Sequence, residues 1–112
     1  DVKLMDDWTP LHWAAREDHT DIVTLLLDAG ADKEVKDTEF GMTPLHWAAF
    51  EGHIDVVKLL LDAGANKDVK DKSACGNTPL LLAEQGGHIK ILRLLLDALY
   101  KDVKDDKSSI EA

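Results

Sequence analysis

Polar residues in this chain recur in stripes that a helix would align. They fall at Asp21, Thr24 and Asp28, then at Asp55, Lys58 and Asp62, then at Lys90, Arg93 and Asp97. Offsets of three and four leave one wetted stripe on each helix, while Ile, Val and Leu cover the rest of the circumference. A helix of about ten residues that is apolar on nearly every side does not stand alone in water, so neighbours must sandwich it. A shorter helix precedes each of these. Thr9-Pro10, Thr43-Pro44 and Thr78-Pro79 are start signals, because a hydroxyl caps free N–H groups and Pro needs no N–H in the first turn. Gly52, and Gly86-Gly87 further on, supply the left-handed residue that ends the first helix. The second helices open near His19, His53 and His88, and Gly30 and Gly64 stop the first two of them.

The elements repeat as a unit. Thr-Pro-Leu begins at Thr9, Thr43 and Thr78, and acid-Val-Lys places Val2, Val35, Val69 and Val103 at spacings of 33, 34 and 34. The stretches 9–37 and 43–71 match at 22 of 29 positions without a gap. Each unit is therefore two helices and an extended connector, and stacking copies buries a face that one copy cannot bury alone. The third copy drifts to Thr78-Pro79-Leu80-Leu81-Leu82-Ala83-Glu84 and carries Leu99 where the others have Gly30 and Gly64. Its last helix is expected to run on through Leu99 and Tyr100, folding them over the open end. The polar tail beyond would be mobile or would form half a finger from Asp102-Val103-Lys104.

Thr-Pro-Leu-His-Trp-Ala-Ala, then Gly-His, then Val-Val-Lys-Leu-Leu-Leu-Asp-Ala-Gly-Ala resembles the ankyrin repeat over roughly residues 2–98. The resemblance implies a mainly α fold: a solenoid of stacked helix-turn-helix units with short β-hairpin fingers. Three repeats then fall at about 5–37, 38–71 and 72–104, followed by a polar tail over 105–112. The connectors exceed the family's 33-residue period by one residue at Thr38-Glu39-Phe40 and by two at Lys72-Ser73-Ala74-Cys75, which lengthens finger tips and leaves the stack undisturbed.

Composition narrows the function classes. Among 112 residues, 22 acids face 13 bases for a net charge of −9, which argues against nucleic acid and against an anionic membrane surface. The lone Cys75 cannot form an internal disulfide, so a reducing, intracellular setting, cytoplasmic or nuclear, is expected. The chain opens on Asp1 rather than Met and carries no signal-peptide pattern, so a processing boundary is expected there. His12, His46, His19, His53 and His88 recur at equivalent positions, as residues that bond backbone between neighbouring loops would. Two stacked histidines without a third ligand make a poor zinc site, the acids lack calcium-loop spacing, and the glycines are helix stops. We expect no enzyme, no cofactor and no metal.

In ankyrin-like stacks the finger tips and the exposed side of the first helix build the concave face. By position that gives Trp8, Trp13, Arg16 and Glu17; Phe40, Met42, Trp47, Phe50 and Glu51; and Asn77 and Gln85. Trp is favoured at binding hot spots. Trp13 and Trp47 read equally as core or interface, while Met42 and Phe50 read as interface. The expected function is a protein-binding module that holds a protein or peptide partner, one with a basic patch, on this face. A monomer is expected. The alternatives are an assembly segment that self-associates through its repeat ends, or an engineered scaffold of the same type.

Overall fold

The computed structural model describes residues 8–111, with the backbone alone over 101–111. Six helices follow in order: α1 (Pro10–Arg16), α2 (Thr20–Asp28), α3 (Pro44–Glu51), α4 (Ile54–Asp62), α5 (Pro79–Gln85) and α6 (Ile89–Glu111). They pair as α1 with α2, α3 with α4 and α5 with α6. The first helices pack in one row, α1 on α3 on α5, and the second helices in another, α2 on α4 on α6. The repeat read from the sequence is therefore the unit of packing.

Each first helix starts as its sequence dictates. The Thr9, Thr43 and Thr78 hydroxyls accept from the N–H groups of His12, His46 and Leu81, with Pro at the first position each time. In the first two copies the imidazole reciprocates, Nδ1 of His12 and His46 accepting from the Thr9 and Thr43 N–H at 3.1 and 3.0 Å. This is a capping box with His in place of the usual Glu. The first helices end on left-handed residues, Asp18 at φ 64°, Gly52 at 82° and Gly87 at 72°. Gly86 itself stays right-handed at φ −83°. After each left-handed residue a backbone N–H (His19, His53, His88) bonds back to Ala14, Ala48 and Ala83 at 2.9 Å, closing the turn on an otherwise unpaired carbonyl.

Burial follows the repeat. Leu11, Leu45, Val23, Val57, Leu60, Ile91 and Leu95 are closed from solvent together with Ala14, Ala15, Ala48, Ala49 and Ala83. The alanine pairs sit on the first helices, where a longer side chain would hold the row apart. Neighbouring copies are also bonded through imidazoles. Nε2–H of His12 donates to the Met42 carbonyl at 3.1 Å and that of His46 to the Asn77 carbonyl at 3.0 Å. In the other direction, His53 donates to the Arg16 carbonyl at 2.8 Å and His88 to the Phe50 carbonyl at 3.0 Å.

The fingers and the last helix differ from expectation. No strand occurs among the described residues. One finger is closed by Asp37 N–H to Met42 O at 3.0 Å, and the other by Asp71 N–H to Asn77 O at 2.8 Å. Side-chain carboxylates take the amides a ladder would use: Asp37 Oδ1 accepts from Phe40 N–H at 2.7 Å, and Asp71 Oδ1 from Asn77 N–H at 2.9 Å. Partial burial pushes the Asp71 carboxyl up, but hydrogen bonds from Ser73 and Asn77 outweigh it and hold the group below its usual pKa. Helix α6 does continue through Leu99 and Tyr100, but it runs on to Glu111, so residues 102–104 are helical instead of half a finger. Of the two residues expected to cover the end of the stack, Leu99 is half-buried and Tyr100 is exposed.

Two outcomes follow. Asp18 is the non-glycine residue at positive φ among those described, so Asp18→Gly should stabilise the fold by about 0.5–1 kcal/mol, net of glycine's greater freedom when unfolded. A lower urea midpoint would instead mean that the 3.9 Å contact of Asp18 with His53 outweighs the backbone strain. The second concerns His46. Desolvation lowers its pKa from 6.5, against opposing contributions from the Asn77 and Val69 carbonyls and Asp71; Lys36 lowers it further. The unfolded chain then binds the proton more readily, so this site's contribution to stability is present above the unfolded pKa and is lost as pH falls through and below it. Unfolding free energies at pH 7.5 and 5 should therefore differ by less in His46→Gln than in the parent; equal differences would assign the pH dependence elsewhere.

Candidate interaction face

The solvent side of the first-helix row and the bases of the fingers bring the aromatic residues together in two layers. Trp8, Met42, Trp47 and Leu82 form a buried cluster separate from the main core. Trp13, Phe40 and Phe50 lie over it, 39%, 48% and 44% exposed. The Trp8 ring is 4.8 Å from Trp13 and 4.9 Å from Trp47, centroid to centroid. Trp47 in turn meets Phe40 at 5.6 Å and Phe50 at 6.3 Å, both edge to face. Tilted and edge-on pairs at these separations are the favoured arrangements for aromatic rings. The row is continuous from Trp13 to Phe50.

Helical spacing accounts for the upper layer. Arg16 follows Trp13 by three residues and Phe50 follows Trp47 by three, so each pair shares a helix face. The Arg16 guanidinium lies 5.9 Å from the centroids of both Trp8 and Trp47, within cation–π range. Its charge is also met by Glu17 at 2.9 Å and Glu51 at 3.9 Å. Asn77 and Gln85 are joined to one another, Gln85 Nε2 donating to Asn77 Oδ1 at 3.0 Å.

Met42 was expected at the surface and is buried, because Trp8 and Trp47 close over it and its carbonyl is fixed by His12. Trp8 is also floor rather than surface. The equal reading of Trp13 and Trp47 divides: Trp47 is buried and Trp13 is exposed. What separates these equivalent residues is Asp37, fully buried at the finger base, whose Oδ2 accepts from the Trp47 indole N–H at 2.9 Å. Any counterpart for Trp13 would come from residues 1–7, outside the described ones. Sequence reasoning passed over Asp37; its signal was the Asp that follows Val-Lys at both Asp37 and Asp71.

Among the described residues no group of three or more His, Cys, Asp or Glu could hold a metal ion, and Cys75 lies exposed on the second finger. No helix among them is long and apolar enough to cross a membrane.

A family model described as ankyrin repeats in three copies matches residues 1–71, and a single ankyrin-repeat model matches 75–106. Ankyrin repeat domain-containing protein 40 of Homo sapiens is 46% identical over 35 residues, 31% of this chain and 10% of that protein. Palmitoyltransferase Hip14 of Drosophila melanogaster is 55% identical over 31 residues, 28% of this chain and 5% of that protein. The chain thus spans a tenth or less of the length of these curated relatives.

The two layers should separate in stability measurements. Trp47→Ala removes a buried ring and a donor to buried Asp37, and should cost about 3–5 kcal/mol in urea unfolding. Phe50→Ala, at the surface, should cost below about 1 kcal/mol. Equal losses would erase the distinction between floor and rim.

Proposed function

The chain belongs to the ankyrin-repeat family, whose repeats are protein–protein interaction modules, and on that premise we propose that its first-helix and finger face binds a protein or peptide carrying a basic patch. The observation that carries this reading is three exposed rings, Trp13, Phe40 and Phe50, each seated against a buried floor of Trp8 and Trp47. A rim fixed from beneath loses little side-chain freedom on binding, which favours affinity per contact. Exposed aromatic groups in such a setting are the usual anchors of an interface. Glu17 and Glu51 flank them, and residues 1–37 carry ten acids against four bases, a net −6. A basic partner would be steered toward that end.

The test uses Trp13 and Phe50, which are exposed, rather than Trp47, which supports the fold. With a captured partner, Phe50→Ala should weaken binding by about 1–3 kcal/mol and leave the unfolding midpoint nearly unchanged. The association rate should fall as salt rises. Binding that survives a Trp13→Ala/Phe50→Ala pair but is lost in Lys58→Glu, on the opposite stripe, would move the interface to the second helices. A rate flat from low to physiological salt would remove steering from the account.

A further inference from the structure

Four groups of the aromatic face converge on a single cation. The Arg16 guanidinium lies 5.9 Å from the ring centroids of both Trp8 and Trp47, which are themselves 4.9 Å apart. Glu17 meets it at 2.9 Å and Glu51, from the next first helix, at 3.9 Å. Two carboxylates beside one guanidinium leave one negative charge over. The arrangement belongs to the first joint: the equivalents of Arg16 are Phe50 and Gln85, and Leu82 stands where Trp13 and Trp47 do. The Arg16 side chain is 36% exposed, and its ring contacts stand at the outer limit of the cation–π range. Its backbone is fixed separately, the Arg16 carbonyl accepting from His53 Nε2–H at 2.8 Å. The side chain can therefore turn outward about its own torsions while α1 and the joint stay in place. Beneath it, Trp8 and Trp47 are 8% and 7% exposed, and Arg16 is part of their cover.

Resting on the reading that this face holds a basic partner, we propose that Trp8, Trp47, Glu17 and Glu51 form a guanidinium seat, filled by Arg16 in the unbound chain and by an arginine of the partner in the complex. Guanidinium is the ligand class because the seat already holds one. A flat, weakly hydrated cation stacks on indole and pairs with carboxylates, whereas an ammonium is compact and strongly hydrated. Charge complementarity favours the exchange: the seat keeps one negative charge over with Arg16 in it, and residues 1–37 carry a net −6, so an incoming cation is drawn there. Replacing one guanidinium by another conserves the contacts of the seat. The net gain then comes from what else the partner touches, Trp13, Phe40 and Phe50. Arg16 thereby sets affinity, because a seat filled from within about nine-tenths of the time weakens binding about tenfold. It also sets specificity, because a neutral or acidic side chain would displace a cation from between two carboxylates without replacing it.

The probe is a capped Gly-Arg-Gly tripeptide, titrated at low salt to about 20 mM, which spans the millimolar dissociation constants of a single side chain. The indole N–H peaks of Trp8 and Trp47 in ¹H–¹⁵N spectra report the seat. In Arg16→Ala they should move saturably, with a dissociation constant about tenfold below that of the parent. Arg16→Gln, a second variant without the charge, should gain in the same direction. The tripeptide with neutral citrulline in place of arginine should move neither peak. Equal or weaker binding in both variants than in the parent would overturn the exchange, as would equal binding of the citrulline peptide or no movement in any chain. A captured partner separates this inference from the reading beneath it. Binding lost in Trp13→Ala/Phe50→Ala and gained in Arg16→Ala supports both. Loss in that pair together with loss in Arg16→Ala would keep the face and overturn the exchange, and no loss in the pair would overturn the face itself.

Discussion

Imidazole-to-carbonyl hydrogen bonds between copies set the geometry on which the rest of this structure depends. His12 and His46 each do two things at once: Nδ1 caps the helix in which the residue sits, and Nε2–H reaches a carbonyl at the base of the following finger. The two bonds fix one tautomer, because the nitrogen that accepts an N–H cannot carry the proton. His53 and His88 complete the lattice in the other direction, onto carbonyls at the ends of α1 and α3. Those carbonyls belong to helix ends, where backbone groups lack internal partners. Stacking therefore satisfies polar atoms as well as apolar ones, and the described residues hold no buried side-chain polar atom without a partner.

The aromatic face follows from that lattice. With the Met42 carbonyl held by His12, the first finger returns beneath Trp8, and Asp37 at its base is placed to accept from the Trp47 indole. A carboxylate buried in this way would be costly without its donors, and it receives them from Phe40, Met42 and Trp47. Trp47 is thus committed to the interior. What remains for a partner is the layer it supports, Trp13, Phe40, Phe50 and the Arg16 guanidinium above it. The same interactions that stack the repeats also keep this layer in one arrangement.

The periodicity made most of the fold legible. Thr-Pro starts, left-handed stops at Gly52, Gly30 and Gly64, and recurrent histidines are local signals, and a repeat multiplies a local signal by three. Position within a helix also told which residues share a face. What sequence did not reveal was depth along that face. Trp13 and Trp47 hold the same position in their units, and what draws Trp47 inward is a carboxylate ten residues before it together with rings from Trp8 and Phe40. Met42 was misplaced for the same reason, since its cover comes from Trp8, a residue of the preceding unit. The fingers were read as strand pairs because the connector is extended; the Asp37 and Asp71 carboxylates that replace a ladder bond across the turn, a choice that chain direction alone does not encode. Asp18 was missed as a left-handed residue because its two counterparts are glycines.

The third unit keeps the packing of the first two while losing the features that lead onward from it. Leu81 replaces a histidine whose Nε2–H would reach the next finger, and Leu99 replaces a glycine held at φ 86° and 87° in the copies before it. A leucine would take that conformation at a cost of about 1–2 kcal/mol, whereas continuing α6 costs it nothing comparable. The chain after Ala98 therefore leaves the path followed after Ala29 and Ala63, and the helix carries it to Glu111 without a fourth finger. Neither change touches Ile91 or Leu95, which face backward onto the second unit and stay buried. The third unit is thus anchored behind and unfinished ahead, and its forward surface keeps the leucines of an inner joint without the polar group that would complete one.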